Sequence, residues 1–273
     1  MNGFKDKIAI VTGGASGIGR ALCEELSQLG AVVTVADCDA ERAKQVTSKI
    51  NASGGQARAE QLNVANAEEV KKVIEETYSE NGQIDYIFNF AGILIVGEAF
   101  DMDLEAWSHI FDVNLKGVAY GTAIAYRIMV DQGFGHIVNM SSYQGLIPAG
   151  AATAYATTKY GVVGLSTSLC SEATQLGVKV SVVCPGFINT PLFQTAEVLK
   201  GDRKEVFSGI PFKLMETKDA AKVILKGVTS NKKIIIFPFY ARLFWYLYRI
   251  HPVLASPLVG GLIKTFRALK VKH

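Results

Sequence analysis

Seven short strand-like runs, each followed by a stretch of helical periodicity or a turn, restrict the fold of this chain more than any other feature. The runs fall at 8–11, 31–36, 56–62, 85–89, 136–140, 178–184 and 233–237, with 56–62 the weakest. Helical stretches fall between them at 18–29, 40–52, 67–81, 104–132, 152–176 and 218–229. Short, largely apolar strands between helices are strands covered on both faces, the condition of a parallel sheet. Right-handed crossovers then predict an open, doubly wound α/β sheet of seven parallel strands with helices on both faces. No repeat, linker or composition break appears before Phe237, so residues 1–238 read as one domain and 239–273 as a C-terminal helical extension.

Composition excludes several alternatives. With 49% hydrophobic residues, 26 Gly and 7 Pro in 273 residues, the chain is neither disordered nor collagen-like. The net charge of +3 is too mild to imply nucleic acid. Its distribution is uneven. After Asp219 there is no acidic residue but ten Lys and Arg; the remaining 18 basic and 25 acidic residues leave the body at −7. A basic appendix on an acidic body can be drawn to anionic surfaces. Cys23, Cys38, Cys170 and Cys184 form no CxxC pair, which suits reduced thiols in a cytoplasmic protein. The first residues show no charged segment followed by an apolar one, so no signal peptide is read. The four His are scattered, and no metal site is predicted.

The turn after the first strand reads Thr12-Gly-Gly-Ala-Ser-Gly-Ile-Gly19 and opens a helix. Glycines permit unusual backbone angles and close approach of a pyrophosphate, while the helix N-terminus offers free N–H groups and a favourable dipole. The setting between strand and helix favours binding over a merely structural turn and makes the domain Rossmann-type. Asp37 closes the second strand, where a carboxylate can accept from adenosine ribose hydroxyls and repel a 2′-phosphate. No Arg or Lys stands at Ser16 or Cys38 to receive that phosphate, so NAD is predicted rather than NADP.

Tyr155 and Lys159 are four apart on the second long helix and share a face. The spacing alone is cheap. The helix, however, is almost uncharged, so an ammonium on it needs a purpose. A neighbouring positive charge favours the phenolate, and a tyrosine so tuned can exchange a proton with a carbonyl or alcohol oxygen. Ser141 and Ser142 follow the fifth strand, at the sheet edge where ligands bind, although an isolated serine there would more simply cap the local backbone.

Together these segments resemble a short-chain dehydrogenase/reductase over about residues 5–237. The resemblance rests on the glycine turn, Asn89-Phe-Ala-Gly92, Val113-Asn-Leu-Lys-Gly117, Ile137-Val-Asn-Met-Ser-Ser142, Tyr155-Ala-Thr-Thr-Lys159 and Pro185-Gly-Phe-Ile-Asn-Thr190, all in the family's order. It implies Tyr155 as general acid/base and Lys159 as the group that holds the nicotinamide ribose and lowers the tyrosine pKa. It implies Ser142 as orienter of the substrate oxygen and Asn114 as holder of a relay water. Gly13, Ser16, Gly17, Ile18 and Gly19 would surround the pyrophosphate. Asn63, Val64, Asn89, Ala91 and Gly92 would line the adenosine side, and Pro185, Gly186, Ile188 and Thr190 the nicotinamide. Two positions depart from the family pattern: Phe90 replaces a second Asn, and Asn63 replaces an Asp near the adenine.

The implied reaction is hydride transfer between a nicotinamide and a secondary alcohol or ketone. A non-catalytic dinucleotide-binding or membrane-docking protein on the same fold is the alternative. The complete set Asn114, Ser142, Tyr155 and Lys159 argues for the enzyme. Leu94, Ile95, Gln144, Leu146, Phe187, Leu192, Phe193 and the stretch to Pro211 are the expected substrate wall, with Ser142 and Tyr155 at its reacting end. Being mostly apolar, it suits a steroid, retinoid, long-chain or aromatic alcohol. The resemblance implies a homodimer or homotetramer. Residues 239–250 are apolar nearly all round, with Arg242 and Arg249 on one stripe, and 259–270 read as a second helix. No uncharged apolar run in this extension reaches the roughly 20 residues needed to span a bilayer. It can cover the pocket or a subunit interface, lie on a membrane surface, or complete the core.

Overall fold

The computed structural model describes residues 3–148, 150–209, 212–255, 263–264 and 266–270. The strands are β1 (Ile8–Thr12), β2 (Val32–Asp37), β3 (Gln56–Gln61), β4 (Tyr86–Asn89), β5 (Ile95–Val96), β6 (Gly135–Met140), β7 (Val178–Pro185), β8 (Ile188–Asn189), β9 (Glu197–Val198), β10 (Met215–Glu216) and β11 (Ile234–Phe237). The helices are α1 (Gly17–Gln28), α2 (Ala40–Ala52), α3 (Ala67–Asn81), α4 (Leu104–Phe111), α5 (Gly117–Gln132), α6 (Thr153–Ala173), α7 (Leu192–Thr195), α8 (Arg203–Ser208), α9 (Thr217–Thr229) and α10 (Phe239–Ile250).

Seven strands form one parallel sheet in the order β11-β7-β6-β4-β1-β2-β3. Alternation along β1 divides the core. Ala9 and Val11 face a cluster with Leu22 and Leu26 of α1 and Ile224 and Leu225 of α9. Ile10 faces the opposite one, with Val73 and Ile74 of α3 and Ala125 and Met129 of α5. Every residue of β1 is buried, as a central parallel strand requires. Strand order reverses between β1 and β4, and doubly wound sheets bind ligands off the carboxyl ends at such a point.

Three local findings change the sequence-based picture. The single helix predicted over 104–132 is broken by a π-helical turn at Asp112–Lys116. The extra residue turns Asn114 fully inward, and such turns recur at functional sites. Two small parallel sheets, β5–β9 and β8–β10, were not predicted because two-residue strands carry no readable period. Leu146, expected in the substrate wall, is instead packed with Val162 and Val182.

The extension begins as predicted with α10. Ala241 is buried, and Tyr240, Phe244, Trp245 and Tyr248 pack against the cluster of Ile147, Val162, Val182 and Cys184. α10 therefore completes the core on that side of β7 and β11. In the second predicted helix, 259–262 and 265 lie outside the described residues; 263–264 and 266–269 are helical. Phe266 is buried beside Leu94, Ile95 and Val96. Lys270 adds an antiparallel bridge to Gly201. Among the described residues no helix is long and apolar enough to cross a membrane.

Candidate active site

The carboxyl ends of β1, β2, β4, β6 and β7 open into one cleft of ≈ 1220 Å³. Ordinary small-ligand sites measure ~300–1,000 Å³, so the cleft has room for a two-part occupant.

At one end the chain presents main-chain groups. Gly13 has φ +67°, and a Cβ there would lie 2.8 Å from the Ala91 backbone. A Cβ on Gly19 would stand 2.1 Å from the Gly13 carbonyl oxygen, so the turn can fold onto α1 only without side chains. Ser16 caps α1 in extended conformation and makes no side-chain cap hydrogen bond. The Thr12 hydroxyl accepts from the amides of Phe90 (3.0 Å) and Ala91 (3.2 Å) and ties the second rim to the first. The Asp37 carboxylate accepts from the Ala15 amide (3.0 Å) and the Asp39 amide (3.1 Å), knitting glycine turn to β2.

At the centre, α6 places Tyr155 and Lys159 on its buried face. The Lys159 ammonium donates to the Met140 carbonyl at 3.1 Å and lies 5.5 Å from the Tyr155 ring centroid. Burial pushes Lys159 down to about 8. Burial also pushes Tyr155 up to about 12, with the Ser142 hydroxyl pulling it back. Desolvation thus outweighs the pull of Ser142 in setting the direction of the Tyr155 shift. The two serines are distinguished by their partners. Ser141 donates to the Lys159 carbonyl (2.8 Å), fixing β6 to α6, while the Ser142 oxygen accepts from the Gln144 amide (3.2 Å) next to Tyr155.

The cleft brings together Gly13, Ser16, Gly17, Ile18, Gly19, Asp37, Asn63, Val64, Ala91, Gly92, Pro185, Gly186, Ile188 and Thr190, and also Leu94, Ser142, Gln144, Phe187, Leu192 and Phe193. Four expected residues stand outside it: Asn89, Asn114, Ile95 and Leu146. Asn89 does not line the cleft. Its amide donates to Asn139 (2.8 Å), its registered partner on β6, within a buried network with Thr122 and Ser166. A polar side chain beneath the sheet must find such partners, which takes it away from the cofactor side. Asn114, expected to hold a water, spends both ends of its side-chain amide on one residue: the oxygen accepts from the Ile93 amide (2.8 Å), and the nitrogen donates to the Ile93 carbonyl (2.9 Å). It braces the strip that carries Gly92 and Leu94. A Cβ on Gly92 would lie 3.1 Å from the Asn114 oxygen and 3.6 Å from the Lys159 nitrogen, so both groups converge on this glycine.

Sequence reasoning missed Arg42, which lines the cleft one helical turn beyond Asp39 and pairs with it at 3.1 Å. Asp39 caps α2 by accepting from the Arg42 amide at 3.0 Å, and no local pattern marks Arg42 as a cleft residue. It also missed Tyr143 and Ile93 in the wall. Asn63 does line the cleft, but its side-chain oxygen accepts from the Ala65 amide (3.1 Å) and shapes its own turn.

Comparison with known proteins agrees with this architecture. The family described as short chain dehydrogenase matches residues 7–198. The chain belongs to the short-chain dehydrogenase/reductase family, and is an oxidoreductase of the kind that acts on CH–OH groups with a nicotinamide dinucleotide. It is 35% identical over 245 residues to the cyclohexanol dehydrogenase of Acinetobacter sp. strain SE19, covering 85% of this chain and 98% of that one. It is 36% identical over 223 residues to the 3-oxoacyl-[acyl-carrier-protein] reductase of Haemophilus influenzae, covering 81% and 90%. A short-chain dehydrogenase/reductase from Burkholderia phymatum, solved with NAD, superposes with TM-score 0.85 at 24% identity over 92% of this chain and 95% of that one. A short-chain type dehydrogenase/reductase from Mycobacterium marinum gives 0.77 at 27% identity over 86% and 95%.

The residues present fit such a dinucleotide. A side-chain-free cradle and a helix N-terminus meet where phosphates belong, and a buried ammonium stands at the reacting end.

Proposed function

We propose that the protein is an NAD-dependent oxidoreductase that interconverts a secondary alcohol and a ketone on a hydrophobic substrate. The observation that carries this reading is the convergence of Tyr155, Lys159 and Ser142 at the centre of the cleft. The nicotinamide, when bound, supplies or takes the hydride. Tyr155 exchanges a proton with the substrate oxygen, Ser142 orients that oxygen, and Lys159 anchors the ribose side. Asn114 acts through Ile93 and is a positioning residue. Dinucleotide choice is supported by charge: Asp37, Asp39, Glu60 and Glu69 line the far end against Arg42 and Lys72, and Arg42 is engaged by Asp39. A 2′-phosphate would meet net negative surroundings. Leu94, Phe187, Leu192 and Phe193 supply an apolar wall. The cyclohexanol relative supports an alicyclic or larger lipophilic alcohol. The sparse charge of α6 supports a homodimer or homotetramer, and four free cysteines support a cytoplasmic protein.

The test is a dinucleotide absorbance assay over steroid, retinoid, fatty, alicyclic and sugar alcohols, with NAD and NADP in parallel. Turnover with lipophilic alcohols and NAD is expected. Tyr155→Phe should lower kcat by about 10²–10⁴-fold while NADH binding stays within a factor of about two. Wild-type turnover in that variant, or activity confined to sugars, would refute the reading.

A further inference from the structure

α10 has two apolar faces, and its packing uses one. Tyr240, Ala241, Phe244 and Tyr248 face the core. On the opposite side Phe239 is 75% exposed, Leu243 43%, Tyr246 52% and Ile250 75%. Their spacing of four, three and four puts them on one continuous stripe. Scattered exposed apolar residues need no explanation, but a contiguous row marks a contact surface.

The surroundings identify the partner. Arg242 and Arg249, both exposed, run along one flank of the stripe, seven residues apart. The Arg249 guanidinium lies 5.1 Å from the centroid of the Trp245 ring, an aromatic–cation pair at the border of the stripe. Lys232 and Lys233, also exposed, precede β11, the strand that leads into the helix. No carboxylate side chain occurs anywhere after Asp219. A second copy seated stripe on stripe would therefore bring two uniformly basic segments together. An anionic surface with an apolar interior meets both requirements. At 12 residues α10 is about 18 Å long, too short for a hydrocarbon core of about 30 Å but suited to lying in its surface.

We propose that α10 docks the protein on an anionic lipid bilayer. Phe239, Leu243, Tyr246 and Ile250 enter the headgroup boundary, and Arg242 and Arg249 meet the lipid phosphates. The core-facing side stays packed, so docking requires no unfolding. It is independent of the proposed chemistry and stands or falls separately.

The experiment is flotation of the full chain with vesicles of phosphatidylcholine alone or with about one third phosphatidylglycerol. Binding to the anionic vesicles is expected, weakening as salt shortens the range of attraction. Phe239→Glu with Ile250→Glu should lower partitioning about tenfold or more, with unchanged thermal midpoint and unchanged turnover of a water-soluble alcohol. Arg242→Gln with Arg249→Gln should remove the preference for anionic over neutral vesicles. In a Trp107→Phe background, the emission of Trp245 should shift to shorter wavelength on adding anionic vesicles. Failure of the wild type to float, flotation unaffected by the two glutamates, or a protein dimer that the glutamates dissolve would each overturn the proposal.

Discussion

The two ends of the cleft are made differently. The dinucleotide end consists of short turns that leave strand ends directly: Gly13 to Gly19 after β1, Asp37 closing β2, and Phe90 to Gly92 after β4. Its ties run from Asp37 to Ala15 across 22 residues and from Thr12 to Phe90 across 78. The end lined by Leu94, Leu192 and Phe193, where the proposal puts the substrate, is backed by pieces far apart in the chain. β5 pairs with β9 about a hundred residues later, and Glu98 accepts from Arg267 at 2.8 Å across 169. Lys270 donates to Glu98 (3.2 Å) and Asp101, whose side chains are 8% and 2% exposed. Hydrogen bonding from Arg267 holds Glu98, and from Lys270 holds Asp101, below the usual carboxylate range. A surface cut into the sheet edge is as firm as the sheet; one assembled from distant segments depends on each tie.

That contrast can be broken at several points. The largest effect belongs to Gly19→Val, whose side chain would collide with the Gly13 carbonyl. NADH affinity, followed by fluorescence titration, should fall about a hundredfold or more. Unchanged affinity would mean that the turn is not the phosphate cradle.

Lys159 sits where the two ends meet, and its burial is visible as stability. Its ammonium loses its proton near 8 in the fold but near 10.5 when unfolded. Between those values the unfolded chain binds more protons, so stability rises with pH. Relative to Lys159→Met, the wild type should gain on the order of 2 kcal/mol between pH 7 and 10, read from urea midpoints. A parallel pH response of the two proteins would show that the ammonium is solvated.

Lys270→Ala sharpens the comparison from the other end. With this cation gone, KM for the alcohol should rise roughly tenfold while NADH affinity holds. A matching loss of NADH affinity would show that the two ends are one mechanical unit. The smallest effect is Tyr240→Phe. The Tyr240 oxygen accepts from the Phe187 amide at 2.6 Å, and the ring stacks on Phe212 at 4.2 Å between centroids. Loss of the hydroxyl should raise KM about threefold without altering kcat.

The same contrast explains what was legible in the sequence. Periodicity located all seven strands of the large sheet, because each is a continuous run whose burial is set by its neighbours on both sides. The glycine turn, Asp37, Tyr155 and Lys159 were legible because spacing along one strand or helix sets their geometry. Asn89 was misplaced because its backbone lies at the cleft edge while its side chain answers to Asn139 beneath the sheet. Lys159 was read by its charge, whereas its titration is governed by burial, which no local pattern reveals. β5 with β9, and Arg267 with Glu98, were invisible because partners so distant leave no mark on either segment alone.

Phe266, seated beside Leu94, Ile95 and Val96, has a consequence for biosynthesis. During translation the glycine turn and β2 emerge early and can already be assembled on the growing sheet. The lobe of Leu94, Ile95 and Val96 must wait, because the residues that wedge and tether it leave the ribosome long after the segments they secure. A nascent chain would thus complete its glycine turn and β2 well before the lobe that Phe266 packs.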